Sequence, residues 1–189
     1  MSLWPDGGWL ATAQRLPSPN FGERPAGEPV SLVVLHNISL PPDEFGGDWV
    51  EQFFLNQLDP QAHPYFATIA GTQVSAHFYI RRDGRVIQFV DCDQRAWHAG
   101  RSVWCGRENC NDFSVGIELE GSDAVVFTSD QYAALWPVLD ALRWRYPITH
   151  IAGHSDVAPG RKTDPGPFFD WLALRQRYPM LALPPEILA

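Results

Sequence analysis

The chain has 189 residues, of which 45% are hydrophobic, 13% aromatic and 19% charged, a composition typical of one globular domain and not of a disordered chain. No stretch approaches the roughly 18 consecutive apolar residues of a membrane span, so we expect no membrane partner. The formal net charge of −8 opposes a broad polyphosphate contact and excludes nucleic acid as the expected partner.

The first 30 or so residues predict an irregular arm, because proline, glycine, serine and asparagine dominate residues 17–29. The start of the chain has no basic n-region and no uninterrupted apolar h-region, so we expect no cleavable secretion signal. An odd number of cysteines without a CxxC pair is unusual for a disulfide framework; they are Cys92, Cys105 and Cys110. Both observations indicate a reducing, cytoplasmic location.

The first half of the domain predicts a strand, a helix and a hairpin. Residues 31–36 form a short β-branched apolar run that ends at His36, typical of a buried strand. Residues 49–58 have helical spacing, and the prolines of the following loop block continuation of the helix. Two apolar runs flank an Asp-Gly turn, which predicts a hairpin over residues 74–90.

The second half alternates strands and helices. Residues 113–121 predict a strand whose alternation puts apolar side chains on one face and polar ones on the other. Thr128 and Gln131 form a capping box for a helix to about Arg145, which Pro137 should kink or split. A short strand, a proline-rich loop and a closing helix are predicted over residues 149–154, 155–167 and 168–178.

These elements predict an α+β fold, a mixed β-sheet flanked by helices, in one domain over residues 1–189. The strands and helices interleave without a strict βαβ rhythm, and one hairpin is present, so a purely parallel sheet is not expected.

Two predicted strands end on a histidine, His36 and His154, at the sheet edge where sites usually form. Ten residues after His154, the prolines and glycine of a KTDPGP loop would hold Asp164 rigidly. Two imidazoles and one carboxylate are a sound ligand set for a catalytic zinc ion, because three protein ligands leave a fourth position open. Taken alone, each histidine is more often structural.

A hydrolytic zinc site also requires a base and a group that stabilises an oxyanion. Glu118 has apolar neighbours in its strand, which would raise the pKa of its carboxyl toward the range useful for proton transfer. Glu120 is its direct rival on the same face, and a salt bridge from Glu118 to a nearby arginine is an equal alternative. Lys162 could place an ammonium beside the metal, or it is a surface lysine.

The positive charge is concentrated in residues 81–107, where six arginines and three aspartates sum to +3 in a chain of net charge −8. A local cationic surface suits a small anionic ligand. The alternative is an ordinary solvated surface, as most charge runs are.

The ordered motifs closely resemble a known family over roughly residues 9–172. They are VVLHNISLPPDEFGG, HPYF, SAHFYIRRDGRVIQFV, RAWHAG, GRENCNDFSVGIELEG and GHSDVAPGRKTDPGPFFDW. The family is that of the AmpD-type cytoplasmic N-acetyl-anhydromuramyl-L-alanine amidases of cell-wall recycling, within the wider zinc amidase and peptidoglycan-recognition superfamily.

The resemblance implies a reaction, a cofactor and a set of roles. The family cleaves the amide between the lactyl group of 1,6-anhydro-N-acetylmuramic acid and L-alanine in muropeptides. Matching motifs make His36, His154 and Asp164 the expected ligands of one Zn²⁺ per chain, with Glu118 as general acid/base and Lys162 as oxyanion stabiliser. Because Asp164 takes the place of a cysteine ligand in phage and animal members, none of the three cysteines need bind metal.

The expected substrate is an anionic muropeptide bound by a monomer. Trp97 offers a flat face for a sugar ring, although core packing is a near-even alternative. Polar contacts are predicted for three residues in family motifs, Asn37, His98 and Arg107. For Arg107 the alternative is a structural pair with Glu108 or Asp112. The remaining histidines are predicted to be structural; they are His63, His77 and His150.

Two other functions remain open at this point. One is a peptidoglycan-recognition module that binds muropeptide without cutting it, which the filled set of ligand and catalytic positions disfavours. The other is a secreted or phage-type amidase that acts on intact peptidoglycan, which the missing signal and the segment 44–66 disfavour.

Overall fold

A six-stranded mixed sheet forms the centre of the molecule. The computed structural model describes residues 2–184, so Met1 and residues 185–189 of the predicted domain lie outside the described part. The strands are β1 (Gln14–Arg15), β2 (Phe21–Gly22), β3 (Leu32–Ile38), β4 (Phe78–Ile80), β5 (Val86–Gln88), β6 (Arg95–Ala96), β7 (Val103–Trp104), β8 (Arg107–Glu108), β9 (Ser114–Glu120) and β10 (His150–Gly153). The helices are α1 (Trp49–Phe54), α2 (Pro64–Thr68), α3 (Ser129–Arg145), α4 (His154–Val157) and α5 (Trp171–Arg177).

The strand order in the main sheet is β1-β5-β4-β9-β3-β10. β4 and β5 pair antiparallel, which confirms the predicted hairpin, and every other neighbouring pair in this sheet is parallel. Two small antiparallel pairs, β2 with β6 and β7 with β8, lie outside it. The mixed sheet with flanking helices confirms the α+β fold class, and the parallel strands β3, β9 and β10 end at one common edge.

Both faces of the central strands are buried. All seven residues of β9 are buried, so its polar face is enclosed rather than solvated. One face packs against α3 and α5 through apolar side chains such as Leu135 and Leu174. The other face is covered by Ala99, Cys110 and Phe113 from the loop region between β6 and β9. Polar side chains on this second face therefore lie in a dry environment.

Helix α3 begins at the predicted capping box. Thr128 Oγ1 accepts a hydrogen bond from the backbone N–H of Gln131 at 3.1 Å, and Gln131 Oε1 accepts one from the Thr128 N–H at 3.0 Å. The helix runs to Arg145 through Pro137, so the expected alternative of a split at Pro137 is wrong. Buried residues before and after the proline, Leu135 and Val138, hold both halves on the same core.

The N-terminal arm is more ordered than the prediction of an irregular segment over residues 1–30. Its strand β1 pairs in parallel with β5 at the edge of the main sheet, and β2 pairs with β6. These strands could not be predicted from the sequence, because each contains only two residues, too few to show an alternation pattern.

Several predicted boundaries shift. Helix α1 ends at Phe54 instead of residue 58, since Asn56 adopts a positive φ of 58°. Helix α5 begins at Trp171 because the Asp170 side chain caps it, accepting from the Ala173 N–H at 2.8 Å. His154 is the first residue of α4 instead of the last of β10.

Within residues 2–184, no helix is both long and apolar enough to cross a bilayer.

We expect Thr128→Ala to lower the free energy of unfolding by about 1 kcal/mol, because the first turn of α3 loses its cap. Thr128→Ser keeps the hydroxyl and is the matched control. The measurement is the urea-unfolding midpoint of both variants. Equal stability of Thr128→Ala and wild type would show that the cap does not contribute.

Candidate metal and catalytic site

The register of the parallel strands aligns three polar side chains in one row. His36 of β3 lies directly opposite Glu118 of β9. On the other side of β3, Leu35 lies opposite Gly153, so His154 follows at the level of His36. The row stands at the edge where the parallel strands end. Backbone pairing therefore brings together His36 and His154, which are 118 positions apart in sequence.

His36, His154 and Asp164 converge with their metal-binding atoms mutually close. The two Nδ1 atoms of the histidines are 3.0 Å apart, and Asp164 Oδ2 lies 2.9 Å from His36 Nδ1 and 3.0 Å from His154 Nδ1. The loop that carries Asp164 is tied to α4 by a hydrogen bond from the Ser155 N–H to the Asp164 carbonyl at 2.9 Å. The three donor atoms form a triangle with nearly equal sides.

The donor set fits a tetrahedral metal ion. Ligand atoms about 2.0–2.1 Å from a tetrahedral zinc are about 3.3 Å apart, close to the sides of this triangle. His154 Nε2 lies 3.1 Å from the carbonyl oxygen of Ala99, which only accepts, so Nε2 carries the proton and Nδ1 presents a lone pair. These three ligand atoms could therefore hold a metal ion between them.

Burial and mutual contact set the charge of these groups. Burial lowers the pKa of His36 to about 4, so the ring is neutral near pH 7 and ready to bind a metal. Burial would raise the pKa of Asp164, but the adjacent rings of His154 and His36 outweigh it and hold that pKa below its ordinary value. Asp164 therefore supplies a full negative charge.

Glu118 lies beside this triangle without a salt bridge to an arginine. Its Oε1 is 3.9 Å from His36 Nδ1, and its buried Oε2 has no hydrogen-bond partner in the structure. Burial and the negative charge of Asp164 raise the pKa of Glu118 well above its ordinary value, although Lys162 opposes the shift. A carboxyl group poised in this way can take up and release a proton.

The rival carboxylate, Glu120, has a structural role. It accepts hydrogen bonds from the backbone N–H groups of Gly46 at 2.5 Å and Arg82 at 2.9 Å. Both contacts lie away from the three converging ligands, and Glu120 does not line the adjacent cavity. The geometry therefore separates two carboxylates that the sequence pattern could not separate.

A cavity of about 710 Å³ opens at the candidate site. Its wall includes the predicted site residues Asn37, Trp97, His98, Glu118, His154, Lys162 and Asp164. Of these, Asn37 donates from Nδ2 to Asp123 Oδ1 at 2.7 Å. Trp97 contributes to the cavity wall and is only partly buried, so its indole is not confined to the core.

Arg107 does not line this cavity, and its substrate contact stays a prediction. Its guanidinium pairs with Glu28, bonds to Ser31 Oγ at 3.3 Å and stacks over Phe113. The alternative pairing with Glu108 or Asp112 is absent among the described ion pairs of Arg107, whose partner is Glu28 of the N-terminal arm. None of the arginines of residues 81–107 lines the cavity.

The described cations of the cavity wall come from one loop instead. They are Arg161 and Lys162, which directly precede the metal-ligand loop. Arg161 Nη2 donates to the carbonyl oxygens of Ala99 and Arg101, each at 2.8 Å. Sequence reasoning missed Arg161, although its neighbour Lys162 was a candidate and the same loop carries Asp164.

The comparisons with known proteins agree with this geometry. A sequence model of the N-acetylmuramoyl-L-alanine amidase family matches residues 26–167. The chain is 57% identical over 172 residues to the 1,6-anhydro-N-acetylmuramyl-L-alanine amidase AmpD of Citrobacter freundii, covering 90% of this chain and 92% of that protein. It belongs to this amidase family.

Solved structures extend the similarity to three dimensions. A crystal structure of a selenomethionine AmpD derivative superposes with a TM-score of 0.88 at 55% identity, covering 94% of this chain and 98% of the other. A complex of Escherichia coli AmiD with the substrate anhydro-N-acetylmuramic acid-L-Ala-D-gamma-Glu-L-Lys gives a TM-score of 0.59 at 31% identity, covering 85% of this chain and 62% of the other. The chain is thus an N-acetylmuramoyl-L-alanine amidase by family and by fold.

The N-terminal arm supplies an arginine that sequence reasoning passed over. Arg24 comes from the N-terminal arm, and its guanidinium donates to backbone carbonyl oxygens behind the site. They are those of Cys92, Asn111, Asp112 and Ser114. No pattern in residues 17–29 marks Arg24, because its partners are main-chain atoms.

The cysteines are free, with Cys92 and Cys110 buried and Cys105 exposed.

We expect Glu118→Gln to stabilise the metal-free amidase, with a gain that grows as the pH rises. Because folding raises the pKa of Glu118, its favourable contribution is present below the ordinary glutamate pKa and is lost as the pH rises toward the folded value. Glutamine does not titrate. The unfolding free energy of the variant should exceed that of wild type by about 1 kcal/mol at about pH 8, with a smaller difference at about pH 4.

Glu120→Gln is the control for this prediction. Its carboxylate accepts two backbone hydrogen bonds, and an amide retains one acceptor oxygen, so this variant should be less stable than wild type. A Glu118→Gln variant whose stability tracks that of wild type at every pH would contradict the raised pKa.

Proposed function

We propose that this amidase hydrolyses the amide between the lactyl group of 1,6-anhydro-N-acetylmuramic acid and L-alanine in muropeptides, as a step of peptidoglycan recycling. The convergence of His36, His154 and Asp164 beside a buried Glu118, whose Oε2 has no hydrogen-bond partner, is the observation that carries the proposal. The name of the Citrobacter freundii relative and the substrate bound to Escherichia coli AmiD support the choice of substrate. We also propose a cytoplasmic, monomeric enzyme.

His36 Nδ1, His154 Nδ1 and Asp164 Oδ2 would hold one zinc ion per chain. When bound, zinc supplies a Lewis acid that polarises the scissile carbonyl and makes water acidic enough to attack near pH 7. Two nitrogens and one oxygen also suit cobalt or manganese, so zinc is proposed from the family resemblance together with the donor set.

Glu118 acts as the general acid/base. Its raised pKa lets the carboxylate accept a proton from the attacking water and hold it until it is transferred to the amide nitrogen. The same carboxyl then protonates the departing amine of L-alanine, which prevents reformation of the amide. The unpartnered Oε2 leaves one oxygen free for the proton, since no hydrogen bond competes for it.

Lys162 stabilises the oxyanion that forms when water adds to the lactyl carbonyl. It lines the cavity and lies close enough for its charge to act on both Glu118 and His36. An ammonium at this place favours the transition state over the neutral amide, because negative charge develops on the carbonyl oxygen only as the reaction proceeds.

The cavity wall supplies the proposed contacts to the rest of the muropeptide. Trp97 presents an apolar ring face to the sugar, and Asn37 offers an amide group, although its Nδ2 already donates to Asp123. Arg161 is added as a proposed partner of stem-peptide carboxylates, because it lines the cavity whereas Arg107 does not.

The central test compares three outcomes with purified protein. We expect zinc-loaded enzyme to release L-alanyl peptide from an anhydro-muramyl tripeptide much faster than from the same peptide on ordinary muramic acid or from intact sacculi. Product release is measured by liquid chromatography. Faster cleavage of sacculi would favour a wall-degrading amidase, and tight binding without release of peptide would favour a recognition module.

Removal of the metal should abolish hydrolysis. We expect dialysis against a chelator to yield inactive protein that regains activity when one equivalent of zinc is added, because the metal-free site lacks the Lewis acid that would activate water. Asp164→Asn should bind zinc more weakly than wild type, since it loses the anionic ligand. Full activity of the zinc-free protein would contradict the proposed cofactor.

Lys162→Met should lower kcat on the order of 10²–10³-fold, as expected for loss of one oxyanion donor, with little change in the melting temperature. Lys162→Arg keeps the positive charge and should retain more activity. Zinc content, measured by atomic absorption, controls for loss of the metal. A Lys162→Met enzyme with normal kcat would remove Lys162 from the mechanism.

A further inference from the structure

His98 lies between the proposed metal ligand His36 and the strand β9. It is 8% exposed, and its ring makes edge-on contacts with the rings of His36 and His77, with centroids 5.1 and 5.7 Å away. Both of its ring nitrogens have partners inside the protein: Nδ1 faces His36 Nε2 at 3.0 Å, and Nε2 faces Ser114 Oγ at 3.3 Å. No ring nitrogen of His98 therefore remains for a substrate.

The direction of this hydrogen-bond chain is set at its far end. The Ser114 hydroxyl donates to the carbonyl oxygen of Cys110 at 2.5 Å, so Ser114 Oγ has only lone pairs left to offer. His98 Nε2 must then donate to Ser114, which leaves a lone pair on His98 Nδ1. That lone pair accepts the Nε2 proton of His36, and the proton is thereby kept away from His36 Nδ1.

Backbone contacts fix the position of His98. Asn111 Oδ1 accepts hydrogen bonds from the main-chain N–H groups of His98 at 3.2 Å and Ala99 at 2.8 Å. On the β9 side, residue 116 is glycine, where an added Cβ would lie 2.4 Å from His98 Cγ. Any side chain at position 116 would therefore displace the ring from between His36 and Ser114.

We propose that His98 is a positioning residue that holds His36 in the tautomer with an Nδ1 lone pair and thereby sets the affinity of the site for its metal ion. The metal-affinity part rests on the proposed function, whereas the tautomer part does not. The segment 97–99 then orients both histidine ligands, because the Ala99 carbonyl performs the same task for His154 Nε2. Outer partners of metal-bound histidines typically contribute 10–100-fold to metal affinity.

A matched pair of variants separates hydrogen bonding from packing. His98→Asn places an amide oxygen near the position of Nδ1, whereas His98→Leu has a similar shape without an acceptor. We expect the leucine variant to bind zinc about 10–100-fold more weakly than wild type in a competition assay with a chromogenic chelator. The asparagine variant should lie closer to wild type than to the leucine variant.

Two results of the competition assay would overturn the proposal. If both variants bind zinc as tightly as wild type, His98 has no positioning role. If both are weakened equally although their circular dichroism spectra match that of wild type, the ring acts through its volume alone. A change confined to KM for muropeptide, with zinc affinity intact, would return His98 to the substrate contacts and also contradict the proposal.

A spectroscopic measurement needs no variant and therefore does not depend on their folding. In metal-free wild-type protein with ¹⁵N-labelled histidine, NMR should show protonated Nε2 and unprotonated Nδ1 for His36, with a scalar coupling across the N–H···N bond to His98 Nδ1. A proton on His36 Nδ1 would overturn the proposal. Failure of wild type to bind zinc would instead contradict the proposed function, and the tautomer would still decide whether His98 positions His36.

Discussion

The close approach of three electron-rich atoms at a largely buried position is the constraint on which the rest of the site depends. Two imidazole nitrogens and a carboxylate oxygen stand 2.9–3.0 Å apart at the edge of a buried sheet. Because the histidine rings are buried, a bound cation would offset the repulsion between these electron-rich atoms. Backbone pairing of β3 with β9 and β10 brings the two histidines together, and the loop that carries Asp164 completes a group that could hold a metal ion.

Burial also raises the pKa of Glu118 and so suits this carboxyl group to proton transfer. A carboxyl group on the surface would be ionised and hydrated, and would have little tendency to hold a proton. In β9 it is covered on the strand face that its alternation pattern marks as polar, next to the charge of Asp164. Glu120 lies two residues away on the same strand, but two backbone N–H groups satisfy it. Local hydrogen bonding, and not residue type, distinguishes the two.

Much of this organisation was predictable from the sequence. The apolar runs that end near His36 and His154 identify buried strands, and the proline-rich loop makes Asp164 a candidate ligand held in a rigid loop. The hairpin and the start of α3 follow from turn and capping chemistry. The ligand and catalytic roles came from the family resemblance, since spacing alone left Glu118 and Glu120 equivalent.

Other features could not be predicted because they depend on partners distant in sequence. The positive charge of residues 81–107 predicted an anion site, yet Arg81 pairs with Asp48 and Glu51, and Arg95 pairs with Asp112. Charge patterns do not reveal which cations are neutralised after folding. The outer contacts of the histidines are equally hidden, since they involve main-chain carbonyls and a serine hydroxyl.

The buried guanidinium of Arg24 has a consequence for where this domain begins. The family match starts at residue 26, whereas Arg24 satisfies carbonyl oxygens on both sides of the loop that carries His98 and on β9. A fragment trimmed to the family boundary would leave those oxygens without donors in the interior. The smallest self-sufficient unit of this domain therefore starts upstream of the residues that the family model matches.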